Sequence, residues 1–217
     1  MSKARLLMSK LGAAKYISHL DFMRTARRAF IRAEIPLRYS EGFNPHPLMS
    51  FALPLSVGHE SVCELLDVET TSALPPDAIK RLNAALPEGI FVSEIYDGGQ
   101  KPGLLRWLEL EGRLHYDGGI PDGAVEALGE LFAAETLVIP LRTKRGEQET
   151  DIAPRLRGAA FTDAGGGVIA VRAVVSAQNP TLNPNAIATA ARIIGLEPSF
   201  AEWRRVEIYD ADLRVFR

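Results

Sequence analysis

The side chains best suited to chemistry at neutral pH are His19, His46 and His59, with Tyr39 beside them, and a set of cations: Lys10, Lys15, Arg24, Arg28, Arg32 and Arg38. Histidine titrates near neutrality, so His19 and His46 would form an acid/base pair able to cleave RNA without metal if the loop carrying His46 folds over His19. Tyr39 is a third catalytic candidate. Histidine at a helix start commonly caps or packs, and sequence proximity does not establish the geometry, so binding is the simpler use of these residues. Zinc fits poorly, because His19 and Asp21, two apart on a helix, face different ways; neither a metal nor another cofactor is expected.

The helix that must carry the arginines is legible in its spacing. Ser18-His19-Leu20-Asp21 has a capping-box pattern, with Ser18 placed to accept the Asp21 N–H. At about 100° per residue, Phe22, Met23, Ala26, Ala29, Phe30 and Ala33 share one arc, and Arg24, Arg28 and Arg32 follow one another on the opposite side. No acid stands four residues from Arg24 or Arg28, and only Asp21 is near, so an anion would relieve their repulsion. Guanidinium groups bind phosphate in bidentate fashion; Lys10, Lys15 and Arg38 would widen such a surface. The next segment, Tyr39-Ser40-Glu41-Gly42-Phe43-Asn44-Pro45-His46-Pro47, should be a stiff loop, since each proline restricts itself and the residue before it. Asn44 and His46 are its candidate RNA contacts, and Phe43 is expected to plug the core.

Composition narrows the classes. The chain has 217 residues, 25 basic and 27 acidic, a net charge of −2, and 47% hydrophobic residues, which excludes disorder as the main state. Residues 1–50 hold nine basic and three acidic side chains, a net +6, leaving 16 basic and 24 acidic, a net −8, for the rest. A basic segment on an otherwise acidic chain points to a local anion-binding face. The single cysteine, Cys63, excludes an internal disulfide, a cysteine-rich zinc site and an iron–sulfur cluster, and should be a small buried residue. No apolar run approaches the roughly 20 residues of a membrane span, and no secretory signal is evident at Met1–Leu11, so a cytoplasmic protein is expected. Gly165-Gly166-Gly167 precedes a strand-like run and reads as a hairpin turn rather than a phosphate loop.

An internal repeat organises the chain. Pro76-Asp77-Ala78-Ile79 opens a helical stretch leading to Glu94-Ile95-Tyr96-Asp97; Pro184-Asn185-Ala186-Ile187 opens another leading to Glu207-Ile208-Tyr209-Asp210. The first half reads strand (4–11), helix (20–34), strands (48–54 and 62–69), helix (76–86), strand (90–96). The second half reads strand (104–116), helix (122–134), strands (136–142 and 156–175), helix (185–195), strand (204–209). Both have the order βαββαβ, the second with an extra hairpin. The expected fold is therefore α+β: tandem ferredoxin-like units, antiparallel sheets with helices on one face, at 1–98 and 103–217 with a glycine-rich linker between.

Tyr16-Ile17-Ser18-His19-Leu20-Asp21, the arginine-rich helix after it, Tyr39-Ser40-x-Gly42-Phe43-Asn44-Pro45-His46-Pro47, and Ser50-Phe51-Ala52-x-Pro54-Leu55 with Gly58 resemble the signature of the radical-SAM-linked domain family, uncharacterised bacterial proteins found free-standing or fused to radical SAM enzymes. The resemblance implies a radical SAM enzyme as partner and an RNA-related context. One cysteine cannot hold that enzyme's three-thiolate cluster, so this chain would bind or position. The resulting expectation is an RNA-binding accessory protein in RNA modification or processing. Its alternatives are a metal-independent endoribonuclease using His19 and His46, and a protein–protein adaptor for the radical SAM partner without RNA contact.

Overall fold

Alternation of apolar and polar residues along Ser2–Lys10 makes a strand with two unlike faces, and this strand organises the first half of the molecule. The structure, a computed structural model, describes residues 2–143 and 146–217 and divides into two compact units, Met1–Leu104 with Arg217, and Leu105–Phe216. The fold is mixed α+β, with mostly antiparallel sheet and four α-helices among the described residues.

The first unit runs β1 (Ser2–Lys10), α1 (His19–Arg32), β2 (Met49–Phe51), β3 (Glu60–Thr70), α2 (Ala78–Ala85) and β4 (Ile90–Asp97). β1 pairs antiparallel with β3, Leu6 opposite Leu66, and with β4, Leu6 opposite Ile95. β2 pairs antiparallel with β3 through Leu66, Asp67 and Val68, residues that also face β1, so it occupies the other edge and the order is β4-β1-β3-β2. Ala4, Leu6 and Met8 of β1, with Leu66 and Val68 of β3 and Val92 of β4, form one core cluster with Phe22, Ala26, Ala29 and Phe30 of α1 and Leu82 of α2. The alternate residues, Lys3 and Arg5 on β1 and Asp67 and Glu69 on β3, point to the other face, as a period of two requires.

The second unit runs β5 (Trp107–His115), α3 (Ala124–Ala133), β6 (Val138–Thr143), β7 (Gly146–Asp151), β8 (Leu156–Asp163), β9 (Val168–Ser176), α4 (Asn185–Ile193) and β10 (Phe200–Tyr209). Its sheet order is β10-β5-β9-β8, all antiparallel, while β6 and β7 form a separate two-stranded sheet among the described residues. Residues 156–175 are the hairpin β8–β9, turned at Gly165–Gly167 as the glycine run predicts, where three consecutive positive φ angles suit glycine. The strand expected near 136–142 belongs to the inserted hairpin and not to the main sheet, because alternation fixes a strand's faces but not its partner. The two occurrences of Glu-Ile-Tyr-Asp fall at the C-terminal ends of β4 and β10, each beside the first strand of its unit.

Cys63 is buried on β3. Among the described residues no helix is long and apolar enough to cross a membrane.

Candidate nucleic-acid interface

α1 begins as its cap residues dictate. Ser18 is extended at the N-cap, its hydroxyl oxygen accepts the Asp21 N–H at 3.1 Å, and its hydroxyl donates to Asp21 Oδ2 at 2.8 Å. Asp21 also accepts from Arg24 Nη1 at 2.9 Å, and these two bonds, Ser18's first, hold the Asp21 carboxyl below its usual range. His19 lies half-buried with its ring edge-on to Phe51 of β2, centroids 5.8 Å apart.

The nine cations of residues 1–50 meet very different fates. Lys3 and Arg38 both pair with Glu69, at 3.0 and 2.8 Å, and Arg5 makes a bidentate pair with Asp67 at 2.6 and 2.9 Å. Arg32 donates to the Ala85 carbonyl at the end of α2, 2.7 Å away. Lys15 Nζ sits over the Tyr16 ring, 5.4 Å from its centroid. Lys10 corrects its expectation: its side chain is buried, 1% exposed, with Nζ 2.9 Å from the Ile17 carbonyl and 5.7 Å from the Phe22 centroid. It lies on the same face of β1 as Ala4, Leu6 and Met8, and it ties β1 to the carbonyls just before α1 instead of widening a surface.

Arg27 and Arg28 remain. Both are exposed on the outward side of α1; Arg28 makes no hydrogen bond or ion pair with any described residue, and Arg27 lies over the Tyr39 ring, 5.7 Å from its centroid. That contact joins the helix to the loop. The loop is closed at its base by the Tyr39–Pro47 bridge, by Ser40 N–H donating to the His46 carbonyl at 2.9 Å, and by His46 N–H donating to Ser40 Oγ at 3.1 Å. Ser40 Oγ also lies 2.9 Å from His46 Nδ1. Below it the chain is strapped to β3, Arg38 N–H to the Glu69 carbonyl and Glu69 N–H to the Leu48 carbonyl. The tip, Glu41 to Pro45, stands in solvent with Gly42 at φ +117°.

Phe43 therefore does not plug the core. Its relative exposure is 112%, the whole ring presented from a braced turn. Asn44 and His46 are exposed beside it. Arg27, through Tyr39, thus adjoins a loop carrying Phe43, Asn44 and His46, with Arg28 next to it in the helix, whereas Arg24, Arg32 and Arg38 are held by Asp21, the Ala85 carbonyl and Glu69. His19 and His46 do not meet: one packs on Phe51, the other is held by Ser40, and no contact joins them among the described residues. Among the described residues no group of three or more His, Cys, Asp or Glu side chains is placed to hold a metal.

Arg27 was missed by the one-turn stripe of Arg24, Arg28 and Arg32, although it lies only about 60° from Arg24 on the helical wheel, within the same outward arc. Behind the loop, on the sheet face away from the helices, lies a groove of about 530 Å³ reaching from His46 and Ser50 across Arg5 and Asp67 to Gln100 and Lys101. No motif spacing announces it, because its walls come from four separate stretches of chain.

The sequence matches, over residues 3–184, the family described as "Uncharacterized protein conserved in bacteria (DUF2344)". No curated protein matches it. In fold it is similar to a chain of the crystal structure of a Cbf5-Nop10-Gar1 complex, at 13% identity and TM-score 0.55, covering 94% of this chain and 48% of that one. A chain of the structure of an H/ACA RNP bound to a substrate RNA containing 2'-deoxyuridine is similar at 12% identity and TM-score 0.50, covering 94% of this chain and 46% of that one. The chain thus spans about half the length of those it matches.

Proposed function

The chain belongs to this family of proteins conserved in bacteria, and we propose that it is an RNA-binding accessory protein whose contact surface is the outward side of α1 and the loop from Tyr39 to Pro47. The observation that carries the reading is the combination of two guanidinium groups with no acidic partner among the described residues, Arg27 and Arg28, with the fully exposed Phe43 on a braced loop. Guanidinium groups neutralise phosphates, and an aromatic ring held in solvent offers a stacking platform for an unpaired base. A rigid loop loses little conformational entropy when it binds. Single-stranded or looped RNA fits better than duplex, whose bases are already stacked.

The strand order common to both units, with the repeated Glu-Ile-Tyr-Asp at equivalent ends, supports an origin by duplication of a ferredoxin-like βαββαβ module. One structural neighbour was solved with a substrate RNA, which agrees with the reading through fold alone. A radical SAM enzyme as partner rests on the resemblance of the Tyr16–Asp21 and Tyr39–Pro47 motifs, and a cytoplasmic setting on the sequence-based expectation alone. Among the described residues no contact joins His19 to His46, which lends the endoribonuclease alternative no support.

The test is fluorescence anisotropy of a labelled single-stranded RNA pool against the full chain at several salt concentrations. Affinity should fall steeply with salt. A salt-independent affinity, or none at low salt, refutes phosphate binding; co-purification with a partner enzyme that survives nuclease treatment would then favour the adaptor role.

A further inference from the structure

The groove behind the loop has a construction that its position alone does not explain. At its centre Asp67 is held from below by Arg5, whose own side chain is only 3% exposed, through two parallel bonds of 2.6 and 2.9 Å. The carboxylate is one-third exposed, and each oxygen, having taken one Arg5 N–H, keeps a lone pair for another donor. Gly99 closes on the guanidinium from the other side: a Cβ there would lie 2.7 Å from Arg5 Nη1, so the backbone must pass where no side chain fits. Next to it the Gln100 side-chain carbonyl oxygen is buried and accepts no hydrogen bond from any described residue, while its backbone N–H donates to the Arg217 carbonyl. Lys101, on the same wall, is exposed, and its ammonium is bonded to no described residue.

Among the groove's groups with spare capacity are two acceptors, Asp67 and Gln100, and one cation bonded to no described residue, Lys101. We propose that this groove takes one unstacked guanine nucleotide of a bound RNA, the guanine N–H donors on Asp67 and Gln100 and the phosphate on Lys101. This rests on the RNA reading above and deepens it. Guanine is the base whose Watson–Crick edge presents adjacent donors, N1–H and the 2-amino group, and a carboxylate meets that pair. Uracil offers a single ring N–H between two carbonyls, which would face the carboxylate unfavourably. The volume, about 530 Å³, is within the range of small-molecule sites. His46 and Pro47 line the rim at the foot of the loop, so a strand stacked on Phe43 is delivered to the entrance.

Titration of the full chain with GMP, AMP, CMP and UMP, by calorimetry or amide chemical shifts, tests this separately from RNA binding. GMP is expected to bind at least about tenfold more tightly than UMP, the difference that one charge-assisted hydrogen bond makes. Ser50→Trp, which fills the groove from an exposed position on β2, should abolish GMP binding without changing the melting temperature. Lys101→Ala should weaken GMP several-fold and leave guanosine unaffected. Equal affinities for the four nucleotides, or GMP binding that survives Ser50→Trp, overturn the inference. If oligonucleotides bind through Arg27 and Arg28 while no mononucleotide does, the groove assignment falls and the RNA reading stands. If GMP binds and oligonucleotides do not, RNA as the source falls and the groove belongs to a free nucleotide.

Discussion

Replacing Arg27 and Arg28 together by alanine removes the two guanidinium groups of α1 that make no hydrogen bond or ion pair with any described residue, and the effect can be worked out before measurement. For single strands each neutralised phosphate contributes about 0.7 to the slope of log affinity against log salt, so two contribute about 1.4. Between roughly 50 and 200 mM salt, a fourfold change, that is a factor of about 7 in affinity that wild type loses and the double variant does not. Both side chains are exposed on a helix with alanine-compatible geometry, so stability should stay within about 0.5 kcal/mol. The control is Arg38→Ala. That guanidinium is already neutralised by Glu69 at 2.8 Å, so its loss should change the slope by well under the single-phosphate value. Anisotropy of a labelled oligonucleotide at five or more salt concentrations gives both slopes. A double variant with the wild-type slope, or an Arg38→Ala effect as large as that of the pair, would refute the assignment of phosphate contact to Arg27 and Arg28.

Three further outcomes follow from particular contacts. Phe43→Ala should weaken single-stranded RNA binding by about 1–3 kcal/mol, the stacking of one base, with no shift in melting temperature because the ring buries nothing in the free protein; an unchanged affinity would exclude it as a platform. Gly112→Ala should destabilise the second unit by several kcal/mol, on the order of an overpacked core, since its Cβ would stand 2.2 Å from a ring carbon of the buried Trp203, itself fixed by a 2.8 Å bond to Asn185; soluble variant with a wild-type urea midpoint would contradict this. The third concerns pH. Glu109 accepts from Tyr209 at 2.5 Å and from Arg172, which hold its carboxyl below the usual value, while Tyr209 is pushed up to about 12 by that same hydrogen bond. The carboxylate's stabilising contribution is therefore present above about pH 4.5 and lost as pH falls further; the phenol's is complete below pH 10 and lost as pH rises toward about 12. Urea midpoints of wild type and Tyr209→Phe should converge at both extremes and differ most at neutral pH, and a constant difference would argue against the coupling.

Local chemistry in this chain was readable wherever it was carried by periodicity or capping. Ser18 caps α1 as its spacing with Asp21 requires, and the apolar arc from Phe22 to Ala33 is the buried one. The glycine run at Gly165–Gly167 turns a hairpin. Lys10 alternates with Ala4, Leu6 and Met8 and so faces the helices, a placement that periodicity predicts and that a lysine's charge argues against. Phe43 failed in the opposite sense. An aromatic beside glycine usually packs, and what keeps this one out is the bracing of the loop by Ser40 and His46, a pair six residues apart whose bonds no propensity announces. The inserted hairpin β6–β7 was legible as strand but not as a separate sheet, because register and partner depend on long-range pairing.

The charge of the first fifty residues shows why composition overstates a binding surface. A net of +6 along the chain becomes something smaller in space, because β3 lays Asp67 and Glu69 across from Arg5 and Lys3, and Glu69 also takes Arg38. These acids lie 62 and 31 residues from the arginines they neutralise, beyond any helical spacing rule. Of the remaining cations, Lys10 is withdrawn into the core and Arg24 is held by its own cap acid. What survives is narrow: Arg27 on Tyr39, Arg28 beside it, and a loop whose aromatic tip is bare. A surface of that size favours few phosphates and a specific base over long stretches of backbone. For this reason the salt slope, more than the affinity itself, separates this protein from a merely basic one.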